Sequence, residues 1–396
     1  MKRAKVILVQ QDNLECLPPL LSVISILQKR YDVLVLTGRR NPKVIENMWD
    51  AERVSFKYLW QTQSHSHKNA FLRKFYSLRK LFQEACWMRG EISRQINQDK
   101  IAFIWVGSVE TAFYFSRFFR KKTYVANAYE LLDEFPLYRW YLRHFYQNAK
   151  RVVVPEKNRA YIFKFWMSLD VLPLVVPNKP QLNLKRKVPS SSKPSKSILY
   201  QGVFNPRERC LDAFCEAVEE LPPEYELLLI GRENDYSKKL CSKYKKVRYG
   251  GYHPAPSHLE ITKNAYIGIA TYAPKTLNST YCAPNKIWEY GACSLPMLIN
   301  DSLGLKGYLS PWNCAVVIDE RDKNSIRDGI LSIAKNYSSF SRQARSFYDS
   351  ENIEEKIESI GEGECPLCLT KNNGVFWTLI GVVARGVLGH LHSHIL

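Results

Sequence analysis

The chain has 396 residues, 45% of them hydrophobic and 24% charged, with a formal net charge of +19. That length exceeds what one hydrophobic core ordinarily organises, so two domains are expected, and the apolar content excludes a disordered or fibrous chain. The charge excess lies in the first half, where residues 1–180 carry 30 Lys/Arg against 15 Asp/Glu while the remainder carries 27 against 23, which points the first half toward an anionic partner.

The first 180 residues alternate short apolar runs with longer amphipathic ones. Val6-Ile7-Leu8-Val9 reads as a buried strand, followed by a loop holding Pro18-Pro19 and a helix over residues 20–29. Val33-Leu34-Val35-Leu36, residues 101–106, Thr123-Tyr124-Val125-Ala126 and Val152-Val153-Val154 continue the strand series. Continuous apolar strands separated by helices predict a parallel sheet covered on both faces. Residues 68–94 interleave aromatics with cations, and Phe71, Phe75, Leu78 and Phe82 fall at helical spacing, which predicts a packed helix face.

Residues 181–197 hold Lys185-Arg186-Lys187, Pro189, Pro194 and a run of serines, the composition of a linker. Beyond it the alternation restarts with Ile198-Leu199-Tyr200, a helix over 211–220, Leu227-Leu228-Leu229-Ile230, Val247-Arg248-Tyr249, Ile267-Gly268-Ile269-Ala270, Pro296-Met297-Leu298-Ile299 and Ala315-Val316-Val317-Ile318. The expected organisation is a first Rossmann-like domain over 1–180, a linker over 181–197, a second domain over 198–360 and an atypical tail over 361–396. Neither domain carries Gly-x-Gly-x-x-Gly after its first strand, which argues against a dinucleotide-dependent oxidoreductase. In the tail, Cys365-Pro366-Leu367-Cys368 is one cysteine pair where a structural zinc needs four ligands, and His390, His392 and His394 are the nearest candidates to complete it. No bound metal and no cofactor are expected.

Ten cysteines are scattered through the chain, several in apolar surroundings such as Tyr290-Gly291-Ala292-Cys293, the pattern of free thiols in a reducing compartment. The first apolar run is too short for a signal-peptide core. The longest apolar stretch, residues 375–391, is interrupted by Arg385 and falls short of a membrane span. A cytoplasmic protein, soluble or peripheral on a membrane, is expected.

The chemistry concentrates in Pro284-Asn285-Lys286-Ile287-Trp288-Glu289-Tyr290-Gly291. Pro284 can open a helix, because its missing N–H has no partner there anyway. Lys286 then sits in the first turn beside free backbone donors, and Glu289 follows three residues on along the same face. A cation suits a diphosphate and a carboxylate suits a ribose diol. The plain alternative is that Glu289 pairs with Lys286 on a helix surface, which contributes little.

This segment resembles the Pro-Asn-Lys-x-x-Glu-Tyr donor motif of bacterial GT-B glycosyltransferases, the retaining group with the Glu-x7-Glu signature. The resemblance spans the second domain. Tyr200-Gln201-Gly202 with Arg209-Cys210-Leu211, the strand end Leu228-Leu229-Ile230-Gly231-Arg232, the turn Gly250-Gly251-Tyr252-His253 and the strand Ala265-Tyr266-Ile267-Gly268-Ile269-Ala270 all look like family elements. It implies an α/β fold of GT-B architecture, two Rossmann-like domains facing each other across a cleft. It further implies that Arg209 and Lys286 neutralise a leaving diphosphate, that Glu289 holds the ribose, and that Gly202, Gly231, Arg232, Tyr252, His253 and Asn285 line the nucleotide-sugar site. The sequence departs from the family at Tyr281, where the first glutamate of Glu-x7-Glu would stand, and at Cys210, where a glycine is usual.

In the first domain, Ala126-Asn127-Ala128-Tyr129-Glu130-Leu131 follows a strand where relatives often carry His-Glu. Tyr129 takes the histidine's place, and Glu130 is the candidate to orient or deprotonate an acceptor hydroxyl, unless it is a plain helix N-terminal carboxylate. Residues 149–159 and 175–180 look like the family's closing elements of this domain. The resemblance implies metal-independent sugar transfer from a nucleoside-diphosphate donor to a glycan or lipid-linked acceptor in cell-surface polysaccharide assembly of the capsule or O-antigen type. The basic first domain, with Arg117, Arg120-Lys121-Lys122, Arg139, Arg143 and Lys150-Arg151, is expected to meet an anionic membrane surface on the inner face of the cell membrane. Three other readings stand beside this one: a sugar-nucleotide 2-epimerase, a non-catalytic sugar-nucleotide-binding subunit, and nucleic-acid binding, against which the nearly balanced charge of the second half argues.

Overall fold

The computed structural model describes residues 3–11, 13–60, 70–119, 123–181 and 196–361, with side chains in the helix after residue 69 described from Arg79. The chain divides into two compact units, Met1–Pro177 together with the segment from Ile353, and Asn178–Asn352.

Among the described residues the first unit is built on seven strands: β1 (Lys5–Gln10), β2 (Asp32–Arg39), β3 (Val54–Trp60), β4 (Ile101–Val106), β5 (Tyr124–Asn127), β6 (Arg151–Val154) and β7 (Leu174–Val175). Their order is β3-β2-β1-β4-β5-β6-β7, and every pairing is parallel. The five apolar runs of the sequence are β1, β2, β4, β5 and β6. β3 was not anticipated because it is an edge strand whose Ser55 and Lys57 face solvent, so it carries no continuous apolar run. The helix Ala70–Gln98 packs Ala85, Met88 and Ile92 into the core formed by Ile7, Leu34 and Ile104. Of the stripe expected to pack, Phe82 is exposed, and the side chains of Phe71, Phe75 and Leu78 lie outside the described residues.

The last described helix, Ile353–Glu358, buries Ile353 and Ile357 and belongs to the first unit. Lys29 pairs with Glu354 at 2.5 Å and Arg30 with Glu358 at 2.9 Å. The packing division therefore falls after Pro177 and again after Asn352, whereas the sequence suggested 180 and 360. The cysteine pair Cys365/Cys368 and the three tail histidines lie outside the described residues, as do residues 120–122.

The second unit carries β8 (Lys196–Gln201), β9 (Tyr225–Ile230), β10 (Val247–Tyr249), β11 (Ile267–Ala270), β12 (Met297–Ile299) and β13 (Ala315–Val317). Their order is β10-β9-β8-β11-β12-β13, again wholly parallel, and all six were legible as apolar runs. Both sheets thus have the doubly wound order in which the winding reverses between the first and fourth strands. Ligands of such sheets bind beyond the carboxyl ends of the strands at that reversal. In the second unit the reversal lies between β8 and β11.

One contact fixes what stands at that crevice. The helix Asn285–Ala292 is buried along nearly its whole length, and the Tyr290 ring lies directly over Gly268 of β11. Its hydroxyl reaches the Ile269 carbonyl at 3.1 Å and the Leu199 carbonyl at 3.4 Å, tying the helix to β11 and β8 together. Trp288 stacks on Phe347 with ring centroids 4.2 Å apart and holds the other side. A β-carbon at Gly268 would lie 2.5 Å from the Tyr290 ring. Gly268→Ala should therefore destabilise the protein by about 1–3 kcal/mol, as overpacking does, read as a lower urea midpoint; an unchanged midpoint would show that the helix is not seated by this contact.

Candidate functional site

Pro284 is the N-cap of the helix Asn285–Ala292 in extended conformation, with φ −72° and ψ 140°. The sequence placed it one residue later, as the first helical residue. Asn285 is then the first residue of the helix and half-buried, and no side chain caps this N-terminus. Its leading N–H groups remain available to a ligand, and the helix dipole favours an anion there.

Lys286, one residue in, is buried. Its ammonium lies 4.4 Å from the Tyr200 ring centre and 5.3 Å from that of Tyr272, and forms no hydrogen bond or ion pair among the described residues. Burial and the nearby Arg209 guanidinium push its pKa down to about 7, against the attraction of Glu289. The Arg209 guanidinium stacks on the same Tyr272 ring at 3.9 Å, with its own nearest carboxylate, Glu208, at 3.9 Å. Tyr272 is pinned by Asn300, whose amide donates to its carbonyl at 2.8 Å and accepts from its N–H at 3.0 Å. Two cations thus share one aromatic platform, and among the described residues no carboxylate pairs with Lys286, the electrostatic counterpart of an anionic ligand.

Glu289 does not pair with Lys286. Its carboxylate, also buried, accepts a hydrogen bond from the Gln201 amide and faces His258 Nε2 at 3.2 Å. Burial lowers the pKa of His258, but the charge of Glu289 and the hydrogen bond to it outweigh burial, so the net direction is upward. Gln201 is the last residue of β8 and Thr262 closes the short helix Leu259–Thr262; the Thr262 hydroxyl donates to the Gln201 side-chain Oε1 at 2.8 Å.

Glycines let the backbone pass closely around these groups. Gly202, with φ +130°, follows β8 beside the Lys286 ammonium. Gly231, with φ +152°, follows β9, and a β-carbon there would lie 2.1 Å from the Gly202 carbonyl oxygen. Both are positions that glycine alone occupies without strain. Arg232 and Tyr252 follow β9 and β10, both exposed, with the guanidinium 5.0 Å over the Tyr252 ring. His253 is exposed and its Nε2 lies 2.9 Å from the Gly250 carbonyl. From β10 to β11 is three strand spacings, roughly 14 Å, the span of a nucleoside diphosphate.

Arg209, Lys286, Glu289 and Gly202 are therefore gathered at the β8/β11 crevice, with Gly231, Arg232, Tyr252 and His253 along the outer strands. Glu130 belongs to the first unit. It lies in a loop after β5, not at a helix N-terminus, with its carboxylate half-exposed and 3.8 Å from the buried Arg159 guanidinium. That guanidinium also donates to the Tyr129 carbonyl. Sequence reasoning missed His258, Thr262, Tyr272 and Asn300. Asn300 left one signal, a polar residue directly after the buried run Met297-Leu298-Ile299; the others sit in a turn, a four-residue helix and a loop, too short to show a periodicity.

No protein-family model matches the chain, and no curated protein is similar enough to match. Solved structures do match. HepE from Anabaena in complex with UDP and glucose is 12% identical, with 91% of this chain and 98% of that one covered at a TM-score of 0.63. WaaG, a glycosyltransferase involved in lipopolysaccharide biosynthesis, is 13% identical, with 90% and 98% covered and a TM-score of 0.58. Sucrose-phosphate synthase from Thermosynechococcus elongatus is 13% identical over 99% and 100%, with a TM-score of 0.57. What is shared at this identity is the fold: an α/β chain of GT-B architecture, with two Rossmann-like, wholly parallel sheets.

A buried ammonium without a counter-ion costs stability. Below pH 7 Lys286 carries its charge in both folded and unfolded chains, so the cost is full; between 7 and its ordinary value only the unfolded chain holds the proton, and the cost declines as pH rises. Lys286→Met should raise the melting temperature at pH 6, by about 2–4 °C per kcal/mol recovered, and by progressively less toward pH 10. An equal shift at both pH values would overturn this account of Lys286.

Proposed function

We propose that the chain is a glycosyltransferase that moves a sugar from a nucleoside-diphosphate donor to a glycan or lipid-linked acceptor in cell-surface polysaccharide assembly. The observation that carries this reading is the buried Lys286 ammonium, in no ion pair among the described residues, beside Arg209 at the β8/β11 crevice. A diphosphate seated there would meet both cations and the uncapped helix, and Glu289 would receive the ribose. As the glycosidic bond breaks, charge develops on the departing diphosphate, and fixed cations in a desolvated site stabilise it without reorganising. Those side chains supply the charge that a divalent ion would otherwise bring, which supports metal-independent transfer. Retention of configuration is the outcome the donor motif implies, with the acceptor attacking from the face the diphosphate leaves and Glu130 taking the hydroxyl proton. The matched HepE is a complex with UDP and glucose and the matched WaaG acts in lipopolysaccharide biosynthesis, which favours a sugar nucleotide and a surface glycan.

Calorimetry with UDP, ADP, GDP and their sugars tests the binding half. Arg209→Ala and Lys286→Ala should each weaken binding of the preferred nucleotide by at least tenfold, the loss of one charge-assisted contact at about 1.5–3 kcal/mol. Glu130→Gln should lower turnover with nucleotide affinity unchanged. Failure of every nucleoside diphosphate and sugar to bind would sink the proposal. One observation favours a non-catalytic sugar-nucleotide-binding subunit instead: Tyr129, at the position where relatives carry histidine, is buried with its hydroxyl raised beyond the range of acid–base work. Binding without transfer to any lipid-linked or free glycan would establish that alternative.

An anionic membrane surface is the partner we propose for the first unit. The helices Leu137–Asn148 and Lys157–Met167 follow consecutive strands and contain no acidic residue. They expose Trp140 (72%), Phe165 (83%), Leu137 and Tyr161 beside Arg143, Lys157 and Lys164. Exposed rings among cations suit the headgroup layer of an anionic bilayer. Among the described residues no helix is long and apolar enough to cross a membrane. Sedimentation with phosphatidylglycerol vesicles at low salt should recover the wild type, and the double variant Trp140→Ser/Phe165→Ser should bind at least tenfold more weakly, from about 1.5 kcal/mol or more per buried ring. Equal recovery by phosphatidylcholine vesicles, or by the variant, would refute it.

A further inference from the structure

Four side chains of the second unit form a hydrogen-bonded chain, from Thr262 through Gln201 and Glu289 to His258, that the donor motif does not contain. His258 precedes the helix Leu259–Thr262 as its N-cap, and Thr262 is the last residue of that helix. The Thr262 hydroxyl lies 3.1 Å from the His258 carbonyl and 2.8 Å from the Gln201 amide oxygen, to which it donates. With its oxygen so engaged, the Gln201 amide must present its NH2 to Glu289, and it donates there. The other Glu289 oxygen faces His258 Nε2 at 3.2 Å, which ends the chain. Thr262, Gln201 and Glu289 are all buried, and the His258 side chain is only 13% exposed.

A carboxylate has about four lone-pair sites. Gln201 and His258 fill two and fix the carboxylate plane, so the remaining two point in set directions rather than sweeping with the rotamer. A vicinal diol needs two acceptors at fixed spacing, and the energy of holding them in place is spent before the ligand arrives. The charged groups about His258 agree with this assignment. Glu289 is the carboxylate that attracts its proton, and Lys286 couples to the same Glu289.

We propose that His258 is a positioning residue that, with Gln201 and Thr262, orients Glu289 to accept a ribose diol and so lets the site distinguish ribonucleotides from 2′-deoxyribonucleotides. This rests on the nucleotide reading of the site. It adds residues outside the donor motif and a specificity that the two phosphate-binding cations cannot supply.

Isothermal titration with UDP, ADP, GDP, their 2′-deoxy analogues and inorganic pyrophosphate tests it. The wild type should prefer the ribonucleotide of its best-bound base by roughly tenfold or more, the loss expected when a hydrogen bond to a buried charged group goes unmade. His258→Ala and Gln201→Leu should bring that ratio within about threefold, with pyrophosphate affinity unchanged, and His258→Gln, whose amide can donate to Glu289, should restore it. Retention of the wild-type ratio by His258→Ala, with the nucleotide still bound, overturns the inference and leaves the nucleotide site standing. Loss of pyrophosphate binding in the same variant also overturns it, because His258 would then support the whole site and not the ribose end. Absence of nucleotide binding in the wild type overturns the nucleotide reading itself.

Discussion

The second unit depends on the seating of one tyrosine. Tyr290 lies over Gly268 because that residue has no side chain, and its hydroxyl spans the carbonyls of β8 and β11. Those two strands define the crevice where the winding reverses. The same helix carries Lys286 one turn before Tyr290 and Glu289 immediately before it, so the seating of one buried ring and its hydroxyl decides where a cation and a carboxylate stand. Core and site are one construction here. A helix placed by loops alone would leave both groups free to drift by more than the half-ångström precision that a polar site needs.

The electrostatics of the site run against stability and toward binding. Lys286 and Arg209 repel each other across the Tyr272 ring, and burial penalises the lysine further. Glu289 sits close enough to couple to Lys286 but is held back by Gln201 and His258. The carboxylate that would otherwise quench the cation is thereby reserved. Sites that bind highly charged ligands commonly store this kind of imbalance, which the ligand relieves.

Most of the fold was legible because the inner strands of a doubly wound sheet are apolar on both faces. The nine inner strands needed no further information than their hydrophobicity, and the edge strands β10 and β13 kept short apolar runs, whereas β3, half-exposed with Lys57 outward, and the two-residue β7 left no such trace. Within the site, Lys286, Glu289 and Arg209 were legible through a motif resemblance. His258 and Thr262 were not, because their role comes from a helical turn that brings residues four apart against a strand end some sixty residues away. The plain alternative, a Lys286–Glu289 pair on a helix surface, follows from helical spacing alone, and it fails because Glu289 is buried against two other partners, Gln201 and His258. The helix after Asn352 was assigned by continuity to the second domain. Its ion pairs with Lys29 and Arg30 are long-range in sequence, and nothing local announces them.

That returning helix bears on the order in which the protein is made. The second unit is one unbroken stretch, Asn178–Asn352, and can complete its sheet as soon as it leaves the ribosome. The first unit, begun earlier, must wait for Ile353–Glu358, so its Lys29 and Arg30 remain without their carboxylate partners through the synthesis of more than a hundred further residues. Although its strands emerge first, the amino-terminal unit is therefore the later of the two to finish, and a nascent chain arrested before Ile353 would hold a complete second unit beside an open first one.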